Sequence, residues 1–116
     1  MASPLARRTC FITADPDGNT VALEARCWYG HILIRHKKQM GHRLMDIKLT
    51  IEKPDRIDDF NSANNRNRVY FKRWKDRDPF GQEYLKVPTE MVTAKSYRVL
   101  TAHPLAILPP KKGKKP

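Results

Sequence analysis

No stretch of 18 or more apolar residues occurs in this chain, so no segment is long enough to span a bilayer as a helix. The opening residues, Met-Ala-Ser-Pro-Leu-Ala-Arg-Arg, lack the apolar central run of a secretory signal, and a cytoplasmic location is expected. Cysteine is nearly absent. Cys10 and Cys27 form no CxxC pair, and free thiols are the default in a cytosolic protein, which disfavours a disulfide and a two-cysteine metal site alike. The chain contains no Gly-rich phosphate loop, HExxH, GxSxG or paired-carboxylate motif. The enzymatic options narrow to acid–base chemistry, with no metal and no cofactor expected. No internal repeat is visible.

Acidic residues are also scarce: 12 Asp and Glu stand against 23 Lys and Arg, a formal net charge of +11. Such an excess says nothing about fold but bears on partners. RNA or DNA phosphates come first, because releasing their condensed counterions favours a basic partner. An anionic membrane surface comes second. Hydrophobic residues at 40% of 116 suit one packed domain rather than wholesale disorder. The expected organisation is a flexible basic lead over 1–8, a single domain over 9–108 and a disordered basic tail over 109–116 (Pro-Pro-Lys-Lys-Gly-Lys-Lys-Pro).

Within the domain, 9–13 and 20–25 lean towards strand, and Asp-Pro-Asp-Gly-Asn between them signals the turn of a hairpin. The pattern becomes helical from Tyr29, and Gly41 punctuates it. A second helix is expected over 42–52, where Leu44, Ile47 and Ile51 make an apolar stripe that Pro54 ends. Short strands are then expected over 56–60, 68–74, 83–87 and 98–102, with a polar, Asn-rich loop over 61–67 and a turn over 76–81. Pro88 implies that the strand before it ends there or lies at an edge. The outline is α+β, a helical layer against one sheet.

Two constellations bear on chemistry. Between Trp28 and Pro54 the chain places three histidines among six Lys and Arg residues. Histidine is the side chain that titrates near neutral pH unperturbed, as proton transfer there requires. His31 and His36 lie five residues apart, about 140° round a regular helix, so they share a site only if Gly30 or the helix end alters the path. Local capping is the bland alternative for either, and His42 and His103 are weaker candidates. The second constellation is the run from Arg66 to Trp74, which interleaves basic and aromatic residues. Alternation places Arg68, Tyr70, Lys72 and Trp74 on one face. Cations for phosphates and rings for bases are what single-stranded RNA binding uses, although Tyr70 or Phe71 also suits a core.

The order of segments resembles a known group. Trp-x-x-His-Ile-Leu…Arg-His leads into a helix ending Thr-Ile-Glu-Lys-Pro-Asp, then Arg-Val-Tyr-Phe-Lys-Arg, Tyr-Leu-Lys-Val and a closing Val-Leu-Thr-Ala-His-Pro. This is similar to the small phage- and mobile-element-associated nuclease-like domains of the barnase–EndoU–colicin E5/D–RelE superfamily, over about two thirds of the chain. The resemblance implies N-terminal helices packed on a four-stranded antiparallel sheet, here with an extra N-terminal β-hairpin, and metal-independent RNA cleavage. It nominates His31, His36, Lys72 and Thr101 as catalytic. Arg35, Arg66, Arg68, Tyr70 and Arg73 are the RNA-binding candidates. RNA is the expected partner and, in a toxin or phage-effector role, an antitoxin or immunity protein a second. A non-catalytic nucleic-acid-binding module and a structural or adaptor protein of a phage particle are the alternatives, because fold does not fix chemistry.

Overall fold

The computed structural model describes residues 8–61 and 66–110. The expected lead and tail lie outside the described residues, apart from Arg8, Pro109 and Pro110, as do residues 62–65 of the Asn-rich loop.

The first hairpin forms where turn chemistry demands it. Strands β1 (Thr9–Ala14) and β2 (Thr20–Glu24) flank a turn organised by Asp15. Its carboxylate accepts the backbone N–H groups of Asp17 and Asn19, both at 2.9 Å, and the Asn19 amide at 3.0 Å. Gly18 completes the turn at φ +84°, a backbone region that costs an L side chain about 1–2 kcal/mol. Gly18→Ala should therefore destabilise the domain by about that amount in urea unfolding. Gly30→Ala should instead stabilise it by up to about 1 kcal/mol, since Gly30 is helical with open space where a Cβ would sit. A neutral Gly18→Ala would show that the turn does not hold this backbone.

Helical structure runs from Ala25 to Met40, but not as one regular helix. A short α1 (Ala25–Cys27) passes into a π-helical turn (Trp28–Ile32) and then α2 (Leu33–Met40), whose backbone breaks at His36 (φ −135°, ψ 39°). Helix α3 (Leu44–Glu52) follows. Trp28, Ile32, Met40, Ile47 and Ile51 point from these helices into the core. Thr50 accepts a hydrogen bond from the Trp74 indole Nε1 at 3.0 Å, fixing α3 against the sheet.

The sheet corrects the expected fold. Among the described residues it has seven strands rather than four, and it is mixed rather than antiparallel. Strands β3 (Arg56–Asn61), β4 (Arg66–Arg73), β5 (Tyr84–Thr93) and β6 (Ser96–Val99) join β1 and β2 in the order β1-β2-β6-β5-β4-β3, and β7 (His103–Leu105) also pairs with β5. The N-terminal hairpin is not an appendage. β2 pairs with β6 in parallel, and the Thr20 N–H donates to the Lys95 carbonyl at 2.8 Å. The cause is burial: Val21 and Leu23 are fully buried, which a free-standing hairpin cannot provide. The final strand also divides, since β6 ends at Val99 and β7 begins at His103.

That division explains Pro88, which sits inside β5 rather than ending it. In an antiparallel strand the N and C=O of one residue point to the same neighbour. The Pro88 carbonyl accepts from Leu100 at 2.9 Å, in the link between β6 and β7. Its missing N–H therefore faces the break in the ladder, where no strand partner needs it.

Alternation sorts the side chains onto two faces. Tyr70, Leu85, Val87, Tyr97 and Val99 meet the helices. Arg56, Asp58, Val69, Phe71 and Lys86 occupy the opposite face, where Val69 and Phe71 are nonetheless buried.

Candidate functional site

The side chains that converge are those of α2 and β7. The His36 and His103 rings stack with centroids 5.6 Å apart and planes inclined by 27°. Both imidazoles are partly exposed. Burial holds the His36 pKa below the usual histidine value, reinforced by the charges of Arg35 and His31. Burial does the same to His103, reinforced by Lys86 and by His36 itself. A proton on His36 therefore opposes a proton on His103.

A π-helical turn carries the chain from His31 towards His36, and the His31 charge is felt at His36. Arg35 is exposed beside them. Lys86 reaches the group from β5, directly opposite His103 in the sheet. Among the described residues its ammonium has no acidic partner. The result is a cluster of two imidazoles bordered by cations, with no carboxylate bonded to either ring among the described residues.

The other nominated residues lie elsewhere. Arg68 is buried and is held by three carboxylates, those of Asp15 (3.2 Å), Asp17 (2.5 Å) and Asp59 (3.0 Å). Burial works against its charge, but these partners and the Tyr70 hydroxyl hold it on and raise its pKa. Tyr70 is fully buried and donates to Asp15 at 2.6 Å, so burial and that carboxylate raise its pKa too. These two residues brace the β1–β2 turn against β4. The Lys72 ammonium donates to the Lys53 carbonyl at 2.9 Å and lies 5.9 Å from the Trp74 ring, on the helix side of the sheet and away from His103. Arg73 is exposed and paired with Glu83 at 2.7 Å. Arg66 is exposed at the start of β4 and already engaged. Thr101 is partly exposed in the link that leads to His103.

The sequence ranks His103, in the closing Val-Leu-Thr-Ala-His-Pro, below His31 and His36 as a weaker candidate, and it does not single out Lys86. The thiols are not nucleophile candidates. Cys10 and Cys27 are free, and burial, then Glu24 and Cys10, push the Cys27 pKa up to about 11. Among the described residues no three His, Cys, Asp or Glu side chains gather as a metal-ligand set, and no helix is long and apolar enough to cross a membrane. A scan against protein-family models and searches of the curated proteins and of the solved structures find no match to this chain.

Proposed function

We propose that the chain is a metal-independent ribonuclease that cleaves RNA by transesterification at the His36–His103 pair. The observation that carries this reading is the stacked pair itself, two imidazoles with lowered pKa values bordered by Arg35, His31 and Lys86 in a chain of net charge +11. When the pair holds a single proton, one ring is a general base and the other a general acid. That is the state the reaction uses.

The bare imidazole takes the proton of a ribose 2′-OH, and the 2′-oxygen forms a bond to the adjacent phosphorus. The bond from phosphorus to the 5′-oxygen breaks, and the protonated imidazole delivers its proton to that oxygen. The products are a 2′,3′-cyclic phosphate and a free 5′-hydroxyl, with no water consumed. Arg35 and Lys86 stabilise the charge that grows on the non-bridging oxygens. The nuclease resemblance supports the activity through the segments bearing His36 and His103, although the sheet differs from the one it implies. A cytoplasmic toxin or phage effector is the matching role, with RNA as substrate and an antitoxin or immunity protein as its partner.

A second reading, a nucleic-acid-binding module without chemistry, is favoured by one observation. Arg35, Lys37 and Lys38 are exposed on α2 with no acidic partner among the described residues. Incubating the purified protein with single-stranded RNA in excess EDTA separates the two. Fragments ending in 2′,3′-cyclic phosphate support the ribonuclease. Salt-sensitive binding with the RNA left intact supports the module.

A further inference from the structure

A row of side chains crosses the sheet from β3 to β7, where His36 of α2 meets His103. The register pairs Arg56 with Phe71, Phe71 with Lys86 and Lys86 with His103, so these four residues stand side by side on strands β3, β4, β5 and β7. Directly paired residues project to the same face. His103 thus lies two strand spacings, about 10 Å, from Phe71, with Lys86 on the strand between them.

At the Phe71 end the surface opens into a cavity of about 140 Å³, lined by Phe60, Val69, Phe71, Pro109 and Pro110 together with the charged Asp58 and Lys86. An apolar cavity of about 150 Å³ holds a benzene ring. The two lining charges are unequal. Asp58 is held by the Arg56 guanidinium through two hydrogen bonds of 2.9 and 2.8 Å, and that guanidinium also lies 5.1 Å over the Phe71 ring. This pair cancels. Lys86 keeps its charge uncompensated among the described residues. The site therefore presents an apolar slot for one flat ring, a cation beside it and the histidine pair one strand further on.

We infer that this cavity seats the base of a nucleotide whose phosphate lies over Lys86. The inference rests on the ribonuclease reading above and deepens it, because it places the base next to the bond being cut. Flat heterocycles stack on aromatic side chains, and any base has a face to offer. The phosphate then meets Lys86 and lies within reach of His103. Both Asp58 oxygens are occupied by Arg56, which leaves the Lys86 ammonium as the uncompensated polar group of the pocket among the described residues.

Titration calorimetry with uridine 3′-monophosphate, ribose 5-phosphate and uridine tests the seat without requiring catalysis. The mononucleotide should bind more tightly than either fragment. Phe60 is 36% exposed and outside the core cluster, so Phe60→Ala spares the fold. It should weaken the mononucleotide about tenfold while leaving ribose 5-phosphate unchanged. Lys86→Gln should weaken the mononucleotide and ribose 5-phosphate together, leaving uridine unaffected. The base seat is overturned if ribose 5-phosphate binds as well as the mononucleotide, or if Phe60→Ala binds it like the parent. The phosphate position is overturned if Lys86→Gln changes nothing. Binding that depends on Phe60 in a protein that leaves RNA intact retires the ribonuclease reading and keeps the seat. Cleavage without such binding does the reverse.

Discussion

His36→Gln and His103→Gln should each slow RNA cleavage by about 10²- to 10⁴-fold, the range that a general acid or base contributes. The double variant should fall little further, since the two rings act as one unit and removing either already breaks the proton circuit. Glutamine keeps the bulk and hydrogen-bonding capacity of the side chain but cannot exchange a proton at these pH values, so the loss should be in kcat with little change in KM. The pH dependence sharpens the test. Both histidines are held below the ordinary value of 6.5. The singly protonated pair is thus most populated at mildly acidic pH, and the rate should trace a bell with its maximum below that value. Lys86→Gln removes a positive charge that opposes protonation of His103, so the alkaline limb should move to higher pH. Stability should follow the same groups. The unfolded histidines take up protons before the folded ones do, so unfolding free energy should decline as pH falls through about 6.5. Undiminished cleavage in both single variants, or a flat rate profile from about pH 5 to 8, would remove this pair from the chemistry.

Local signals carried part of this molecule into view before its three-dimensional structure was known. Asp-Pro-Asp-Gly-Asn marks the first turn because an Asx carboxylate and a glycine at positive φ are turn determinants written within the segment itself. The stripe of Leu44, Ile47 and Ile51, ended by Pro54, marks α3 for the same reason. Non-local facts stayed hidden. The parallel pairing of β2 with β6 joins segments more than 70 residues apart, and strand alternation reads the same in a parallel and an antiparallel neighbour. Alternation also put Arg68 and Tyr70 on one face correctly, but not which face the helices cover. A basic–aromatic strand reads alike whether it meets RNA or the three aspartates that enclose Arg68. His36 was legible because its neighbours are basic and helical. His103 reads only as a weaker candidate, because its partner lies 67 positions earlier and the pairing of β7 with β5 is what brings the rings together.

Arg68→Ala should cost about 3–5 kcal/mol of folding stability, the loss typical of removing one partner from a buried ion pair. The reason lies with the residue left behind. The Asp15 side chain has no exposed surface, and its hydrogen bonds from Tyr70, Asn19 and the Asp17 backbone remain when the guanidinium is gone. Those bonds satisfy its oxygens but do not cancel its charge. In the parent protein, burial opposes ionisation of Asp15, and the hydrogen bonds together with the Arg68 charge overcome it, leaving the pKa below the usual 3.8. Asp15 thus stabilises the parent at pH values above that figure, and the contribution is lost as pH falls through its folded pKa. Without Arg68 the folded pKa should climb, so the variant's deficit should be largest at neutral pH and shrink towards pH 4 as Asp15 takes up a proton. Arg73→Ala is the contrast: its ion pair with Glu83 is solvent-exposed, and the cost should stay under about 1 kcal/mol. Urea unfolding of the three proteins at two pH values measures all of this. An unchanged midpoint for Arg68→Ala would mean that the carboxylates around it are hydrated and that the guanidinium is available to a ligand after all.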